Sequence, residues 1–445
     1  MRNAPAPSTP PPGSIPRRDR PRESRPKAPA AAEAELLGVT RVEAAFPTRP
    51  RIVSTAHGPL RHLLLWYPPH DPGGPFVFRA AYGDLLRTLP ASTEVTVVCH
   101  PSVADELEAL VGATRPPAAT TRIVLTPPSV GFTVWAEDAF VVVEDVGSNP
   151  PVTYLLEPER FPRAGDFQLA ELVATATPLE TTQSPLIFQG GNVLIGDDFV
   201  LVGVDYLDDS IRAVEESGAV EGYPYEGTAQ EKRRFVANLF RQSFDPARQI
   251  HFLASTPRNR PMNRFIELDG KRLLDDVEAG RGARQPIFHI DMFVTLAGRG
   301  SDGRYRLLVG DPVLADRLLG WDPVPHDLRT EYDDIAAQLA RSGFAVTRTP
   351  LPYVSVVESD AAVRTWYQAT TNNCLVVVDG AAGAVGRRVW LPTYGHPPFE
   401  ELAATDADHR RRWESMGFGV TQLGDFHPFA MRMGALHCIK KYLAR

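Results

Sequence analysis

Cysteine is scarce in this chain: 445 residues hold three, Cys99, Cys374 and Cys438, far apart from one another. Such spacing is not that of a disulfide framework or of a zinc site. Long apolar runs are missing as well, and none approaches the ~20 residues that a membrane-spanning helix requires. Nor is there an excess of basic charge. The formal net charge is −7, which gives no reason to expect nucleic acid as the main partner. The expectation is a cytoplasmic protein with neither a membrane nor a nucleic-acid partner; its oligomeric state stays open.

What is present suits a folded enzyme-sized chain. A hydrophobic fraction of 43% and an aromatic fraction of 9% are ordinary for a protein with a sizeable core. Residues 1–35 depart from the rest. They carry seven Lys or Arg against four Asp or Glu, with many Pro and Ala and almost no large apolar side chain. Such a segment cannot offset the entropy of ordering, so it reads as a disordered leader. It lacks the apolar centre of a secretory signal, and its prolines and acidic residues do not suit a transit peptide. Residues 36–445 are then read as one folded domain.

From about residue 60 short apolar runs alternate with amphipathic stretches, the pattern of an α/β protein. Residues 61–67 and 94–99 read as strands. Helices are expected from Ser102 to Gly112, and over 228–242, 330–342 and 404–416. Five further strand-like segments carry polar residues at or near their starts: 133–145, 187–203, 287–298, 372–380 with 389–395, and 434–443. Polar groups gathered at one end of several strands suggest a shared site on one face of an α/β assembly.

Three of these starts bear on chemistry. In His289-Ile290-Asp291, a strand would project imidazole and carboxylate to the same side. Apolar neighbours surround both, so the pair is either a structural hydrogen-bonded couple or part of a site. Gln189-Gly190-Gly191-Asn192 is either a hairpin turn or a ligand wall that the backbone approaches closely. Cys99 and Cys374 sit in apolar runs, as buried free cysteines do. Cys438, preceded by His437, has more polar surroundings and is the candidate nucleophile.

Taken in chain order, Asp138, Gly190-Gly191, His289-x-Asp291 and the late His437-Cys438 resemble the guanidine-modifying enzymes of the pentein superfamily. Its members include arginine, agmatine and peptidylarginine deiminases and amidinotransferases. The matching positions span 135–438. Within that group, Asp425-Phe426 followed by Gly434-Ala435-Leu436-His437-Cys438 is most similar to the peptidylarginine deiminases of the bacterial type. Trp135-x-x-Asp138 and His289-x-Asp291-x-Phe293 fit the same branch. Agmatine deiminases share the His-Cys ending, but typically continue Ile-Thr-Gln where this chain has Ile439-Lys440-Lys441. Agmatine and arginine deiminases also have Glu-Gly-Gly where this chain has Gln189.

The resemblance implies a pentein fold, an α/β propeller of five ββαβ-like units about a pseudo-fivefold axis. It implies Cys438 as nucleophile, His289 as general acid and base, and Asp138 and Asp291 as carboxylates that hold the substrate's guanidinium. Trp135 would pack on the aliphatic part of the substrate, with Gln189 and Asn192 also in the substrate wall. No metal and no organic cofactor is implied. The expected reaction converts arginine, peptide-borne in the first instance, to citrulline and ammonia. Agmatine, free arginine or another small guanidine is the alternative substrate, and amidino transfer the alternative reaction. A non-catalytic pentein-fold binding protein is the distant third reading.

If residues 1–35 are a disordered leader, deleting them leaves soluble expression, the melting temperature and turnover unchanged. A truncated protein that neither folds nor turns over would refute that reading.

Overall fold

An isolated hairpin leaves an apolar face uncovered, and this chain repeatedly answers with a helix that returns to lay down a third strand. The computed structural model describes residues 46–69, 77–218, 220–255, 265–268, 271–274, 288–323, 328–358, 363–380 and 386–445. The leader expected over 1–35 lies outside the described residues. Two compact units form, the first from residues 46–69, 89–253 and 438–445, the second from 77–88 and 254–437.

Within the first unit, Val141–Asp145 and Val152–Glu157 pair antiparallel. The helices Ala164–Phe167 and Leu169–Ala176 follow, and Glu180–Gln183 then joins parallel to the second strand. Val193–Ile195 and Phe199–Gly203 repeat the order, with helices Val204–Ser217 and Ala229–Phe244 before the parallel strand Gln249–Leu253. In the third sheet the late strand Lys440–Ala444 lies antiparallel to His62–Tyr67, which runs parallel to Glu94–Cys99 and through it to Thr121–Leu125.

The second unit adds two more sheets of this kind. Val294–Arg299 and Tyr305–Asp311 pair antiparallel, and Ala345–Pro350 joins parallel after helices Pro312–Leu319 and Arg329–Arg341. Leu375–Val378, Arg387–Thr393, helix Ala403–Ser415 and Gly419–Asp425 form the other. A further sheet, of Phe265–Leu268, Lys271–Leu274, Tyr353–Glu358 and Val363–Gln368, is wholly antiparallel. Among the described residues no sheet closes on itself, and no helix is long and apolar enough to cross a membrane.

The polar motifs sit in turns just ahead of these strands, and His289-Ile290-Asp291, expected on a strand, is among them. Gly190–Asn192 and Ile290–Met292 are single 3₁₀ turns. Asp138, Gly190, Asp291, Asn372 and His437 each stand three residues before the strand that opens a repeat. His289 and Asp291 therefore do not alternate along a strand. His289 is extended and caps the turn, and its carbonyl accepts the Met292 amide at 3.3 Å. The sequence period of two fails here because the backbone turns before it enters the ladder.

Two cores hold the first unit together. One gathers Trp66, Phe132, Phe140 and Leu169, the other Phe188, Val236, Phe240 and Phe244. Each such side chain contributes roughly 1.5–3 kcal/mol on full burial. Helix Ala229–Phe244 presents its apolar residues to the second core and begins with a capping box between Thr228 and Glu231. The helix expected from Ser102 begins as a 3₁₀ turn at Pro101–Val103 and runs through Gly112 to Thr114. The helix continues past Gly112 to a C-cap at Arg115, so that glycine does not stop it.

One buried carboxylate gives the second unit a pH signature. Asp406 accepts the amides of Tyr394 at 2.9 Å and Gly395 at 2.7 Å, yet burial pushes its pKa from 3.8 up to about 6. The folded state holds this proton more tightly than the unfolded chain. Its contribution to stability is therefore full below about pH 3.8 and is lost as pH rises through about 6. The total is on the order of 3 kcal/mol. Asp406→Asn, which cannot titrate, should lose this slope in urea unfolding measured across that window; an unchanged slope would contradict the assignment.

Candidate active site

In the first unit the residues 131–138 are seated on the start of helix Ala164–Phe167. A Cβ on Gly165 would lie 1.8 Å from the Gly131 carbonyl oxygen, so only glycine permits that approach. Asp166, fully buried, accepts both the amide and the hydroxyl of Thr133 at 2.7 Å. This fixes the turn that carries Trp135, which is half-buried, and Asp138, which is 3% exposed. Arg163 donates its Nε to Asp166 and its Nη2 to Asp138 Oδ2 at 2.7 Å, with its guanidinium 4.8 Å over the Phe161 ring. Burial works against the Arg163 charge, but Asp166 and Asp138 outweigh it and raise its pKa. The carboxylate expected to hold a guanidinium thus already holds one from its own chain.

Glu137, between Ala136 and Asp138, drew no attention in sequence and is central in the structure. Its carboxylate meets Lys440 Nζ at 2.8 Å and Lys441 Nζ at 2.9 Å, all three side chains buried. Lys441 also donates to the Glu137 carbonyl at 2.8 Å. Burial lowers the pKa of Lys441, and Glu137 opposes the shift. The Lys440-Lys441 pair, where agmatine deiminases have Thr-Gln, is thus built into the protein by one buried carboxylate. The signal was available: two lysines after an apolar residue at the start of a buried strand need a counter-charge.

Backbone hydrogen bonds join three motifs of this unit. The Glu137 amide donates to the Cys438 carbonyl at 3.0 Å, and the Gly190 amide to the Asp138 carbonyl at 3.1 Å. A Cβ on Gly190 would fall 1.9 Å from the Glu137 carbonyl oxygen and 2.5 Å from Lys441 Nζ, which accounts for this glycine. Gln189 and Asn192 are buried beside it. Among the described residues no hydrogen bond reaches Gln189 Oε1.

The second unit joins the other motifs. His289 is 1% exposed and stacks on Phe288, with ring centroids 3.8 Å apart. Asp291, equally buried, accepts from His437 Nδ1 at 2.8 Å. Asn373 braces the group. Its Oδ1 accepts the amides of Ala435 at 3.1 Å and His437 at 2.8 Å, and its Nδ2 reaches Met292 Sδ at 3.6 Å. Asn372 and Thr295 exchange hydrogen bonds beneath it. The sequence offered Asn372-Asn373 only as a strand start, whereas two buried amides in an otherwise apolar run announce polar work.

Among the cysteines, Cys438 is 3% exposed and follows His437 directly in the chain. Cys374 is buried in an apolar strand start. Burial, with Glu106 and Glu108 adding to it, pushes the Cys99 thiol up to about 12, so it is not a thiolate at neutral pH.

The fold is that of known deiminase structures. A chain provisionally assigned as a peptidyl-arginine deiminase matches with a TM-score of 0.54 at 13% identity, over 89% of this chain and 99% of that one. One provisionally assigned as an agmatine deiminase matches with 0.56 at 13% identity, over 91% and 98%. The agmatine deiminase of C. jejuni matches with 0.55 at 13% identity, over 88% and 96%. These structures define a mixed α/β fold of the pentein class. No protein-family model matches the sequence, and no curated protein sequence does.

The charge pairing at Glu137 makes a sharp stability prediction. Glu137→Gln leaves two buried ammonium groups without their carboxylate, and breaking buried pairs in this way costs ~3–5 kcal/mol. A melting or urea-unfolding measurement that finds less than about 1 kcal/mol would show that the pair carries no such burden.

Proposed function

We propose that this protein is a cysteine-dependent deiminase that hydrolyses a guanidinium group to a ureido group and ammonia. One observation supports this above others. The motifs that resemble deiminases occupy one recurring position, the turn before a repeat's opening strand, in a fold matched almost end to end by deiminase structures. The proposal extends to the arrangement of the five hairpin–helix–strand repeats about a pseudo-fivefold axis, as in the pentein propeller.

A guanidinium carbon is a poor electrophile because its charge is delocalised. Asp138 and Asp291 are assigned to accept its paired N–H donors and hold its plane. The Cys438 thiolate attacks the central carbon and forms the C–S bond. His289 gives its proton to one amino group, and ammonia leaves with the electrons of the C–N bond. A thiouronium on Cys438 remains. In the role the resemblance gives it, His289 then takes a proton from water as the water oxygen bonds to the same carbon. The C–S bond breaks with its electron pair returning to sulfur, the proton left on the new oxygen passes to the released ammonia, and the ureido product departs. Trp135 is assigned to the aliphatic chain of the substrate, with Gln189 and Asn192 beside it.

Peptide-borne arginine is our reading of the substrate, resting on the resemblance of residues 425–438 to peptidylarginine deiminases. Agmatine is the second reading, favoured by two of the three structures named above.

A panel of arginine peptides, agmatine and free arginine, with ammonia assay and product mass, tests both. A gain of about one mass unit marks deimination, whereas loss of the amidino group marks transfer. Cys438→Ala should abolish turnover while Cys99→Ser and Cys374→Ser keep it. Haloacetamidine should alkylate Cys438 faster than neutral iodoacetamide does, because the amidinium resembles the substrate head group. Full activity in Cys438→Ala, with label on another cysteine, would end the proposal.

A further inference from the structure

His437 has a geometry that the scheme above does not use. Its side chain is 6% exposed, and its Nδ1 lies 2.8 Å from Asp291 Oδ2. A carboxylate oxygen accepts, so in the neutral ring Nδ1 carries the proton and Nε2 presents a lone pair. That Nε2 is buried, and among the described residues no group hydrogen-bonds to it. Buried polar atoms are nearly always paired, and an exception calls for an explanation. The ring is also held in place. Asn373 fixes the His437 amide through both its side-chain and main-chain oxygens, at 2.8 and 3.3 Å. A carboxylate that sets the tautomer, a locked backbone and an open Nε2 are the parts of a general base oriented by an acid. The next residue in the chain is Cys438.

We propose that His437 is the base that activates water for the second half of the reaction, which leaves His289 as the acid of the first half. The inference rests on the deiminase reading and divides the proton transfers between two histidines. With the thiouronium in place on Cys438, water loses a proton to His437 Nε2 as its oxygen bonds to the central carbon. The C–S bond then breaks and its electrons return to sulfur as thiolate. The proton left on the new oxygen passes to His289 and restores the acid. His437 yields its proton to the released ammonia, so one guanidinium and one water give one neutral ureido product and one ammonium ion.

His437→Asn makes the test, because its side-chain amide can still donate to Asp291 from the Nδ1 position but has nothing where Nε2 was. In rapid-quench experiments with an active guanidine, this variant should release one equivalent of ammonia per enzyme in a normal burst. Its steady turnover should then fall about 10²–10⁴-fold, the usual worth of a general base. Mass spectrometry should find the amidino adduct accumulated on the Cys438 peptide. His289→Asn should lose the burst itself. A purely structural role for His437 would reduce both phases together and leave no adduct. Steady turnover within threefold of wild type would overturn the proposal, as would a folded variant without a burst. His437→Gln repeats the test should the Asn variant not fold; if neither folds, His437 is structural and the proposal falls. Failure of the deiminase reading looks different: wild-type protein would then consume no guanidine and Cys438 would show no preference for haloacetamidine.

Discussion

The hydrogen bond from the Glu137 amide to the Cys438 carbonyl ties the last strand of the chain to the Trp135–Asp138 turn. Much of the first unit depends on it. Lys440 and Lys441 follow at once, and both side chains turn back to the Glu137 carboxylate. The same residue therefore fixes the strand by its backbone and neutralises it by its side chain. Gly190 completes the junction, since only a residue without Cβ passes so close to the Glu137 carbonyl. Three sequence-distant motifs are brought into register by one residue whose importance lies wholly in what it contacts.

The second unit solves the same problem with neutral groups. Asn373 takes the place that charge holds in the first unit, spanning from the Met292 sulfur to the amides of Ala435 and His437. A side-chain amide carries both donors and acceptors, so one buried residue can satisfy groups on two different turns. Here His437 pairs with Asp291 across 2.8 Å.

Much of this was readable in sequence, and the rest failed for identifiable reasons. The strands at 61–67 and 94–99 and the helices near 228, 330 and 404 follow from apolar period and glycine stops, which are local properties. The motif residues were also found, because polar groups at the edge of buried runs stand out. The local backbone of one was misread. His289-x-Asp291 looks like strand alternation, but a 3₁₀ turn intervenes, and its single hydrogen bond leaves no periodic trace. The partners of the motifs were invisible for a different reason. Arg163 with Asp138, Glu137 with Lys440 and Lys441, and Asn373 with His437 are long-range choices of the tertiary fold. Composition cannot show them, although the demand that a buried charge be paired could have prompted the search.

The charges of the first unit bear directly on how a cationic substrate would be received. Around the Trp135–Asp138 turn the carboxylates are Glu137, Asp138 and Asp166, and the cations bonded to them are Arg163, Lys440 and Lys441. Among these contacts of the described residues, three charges of each sign pair off. A guanidinium brought to Asp138 adds one uncompensated positive charge in a low-dielectric setting, which is unfavourable unless an anion appears with it. On the proposed function that anion is the thiolate of Cys438, whose carbonyl accepts the Glu137 amide. Binding the cation and ionising the thiol then favour each other, because each removes the charge imbalance that the other creates. Arg163 shapes this coupling. By holding Asp138 at 2.7 Å it removes the surplus negative charge that would otherwise take up a substrate cation with the thiol still protonated. On the proposed function, this pairing of charges links thiolate formation to the arrival of the group that the thiolate would attack.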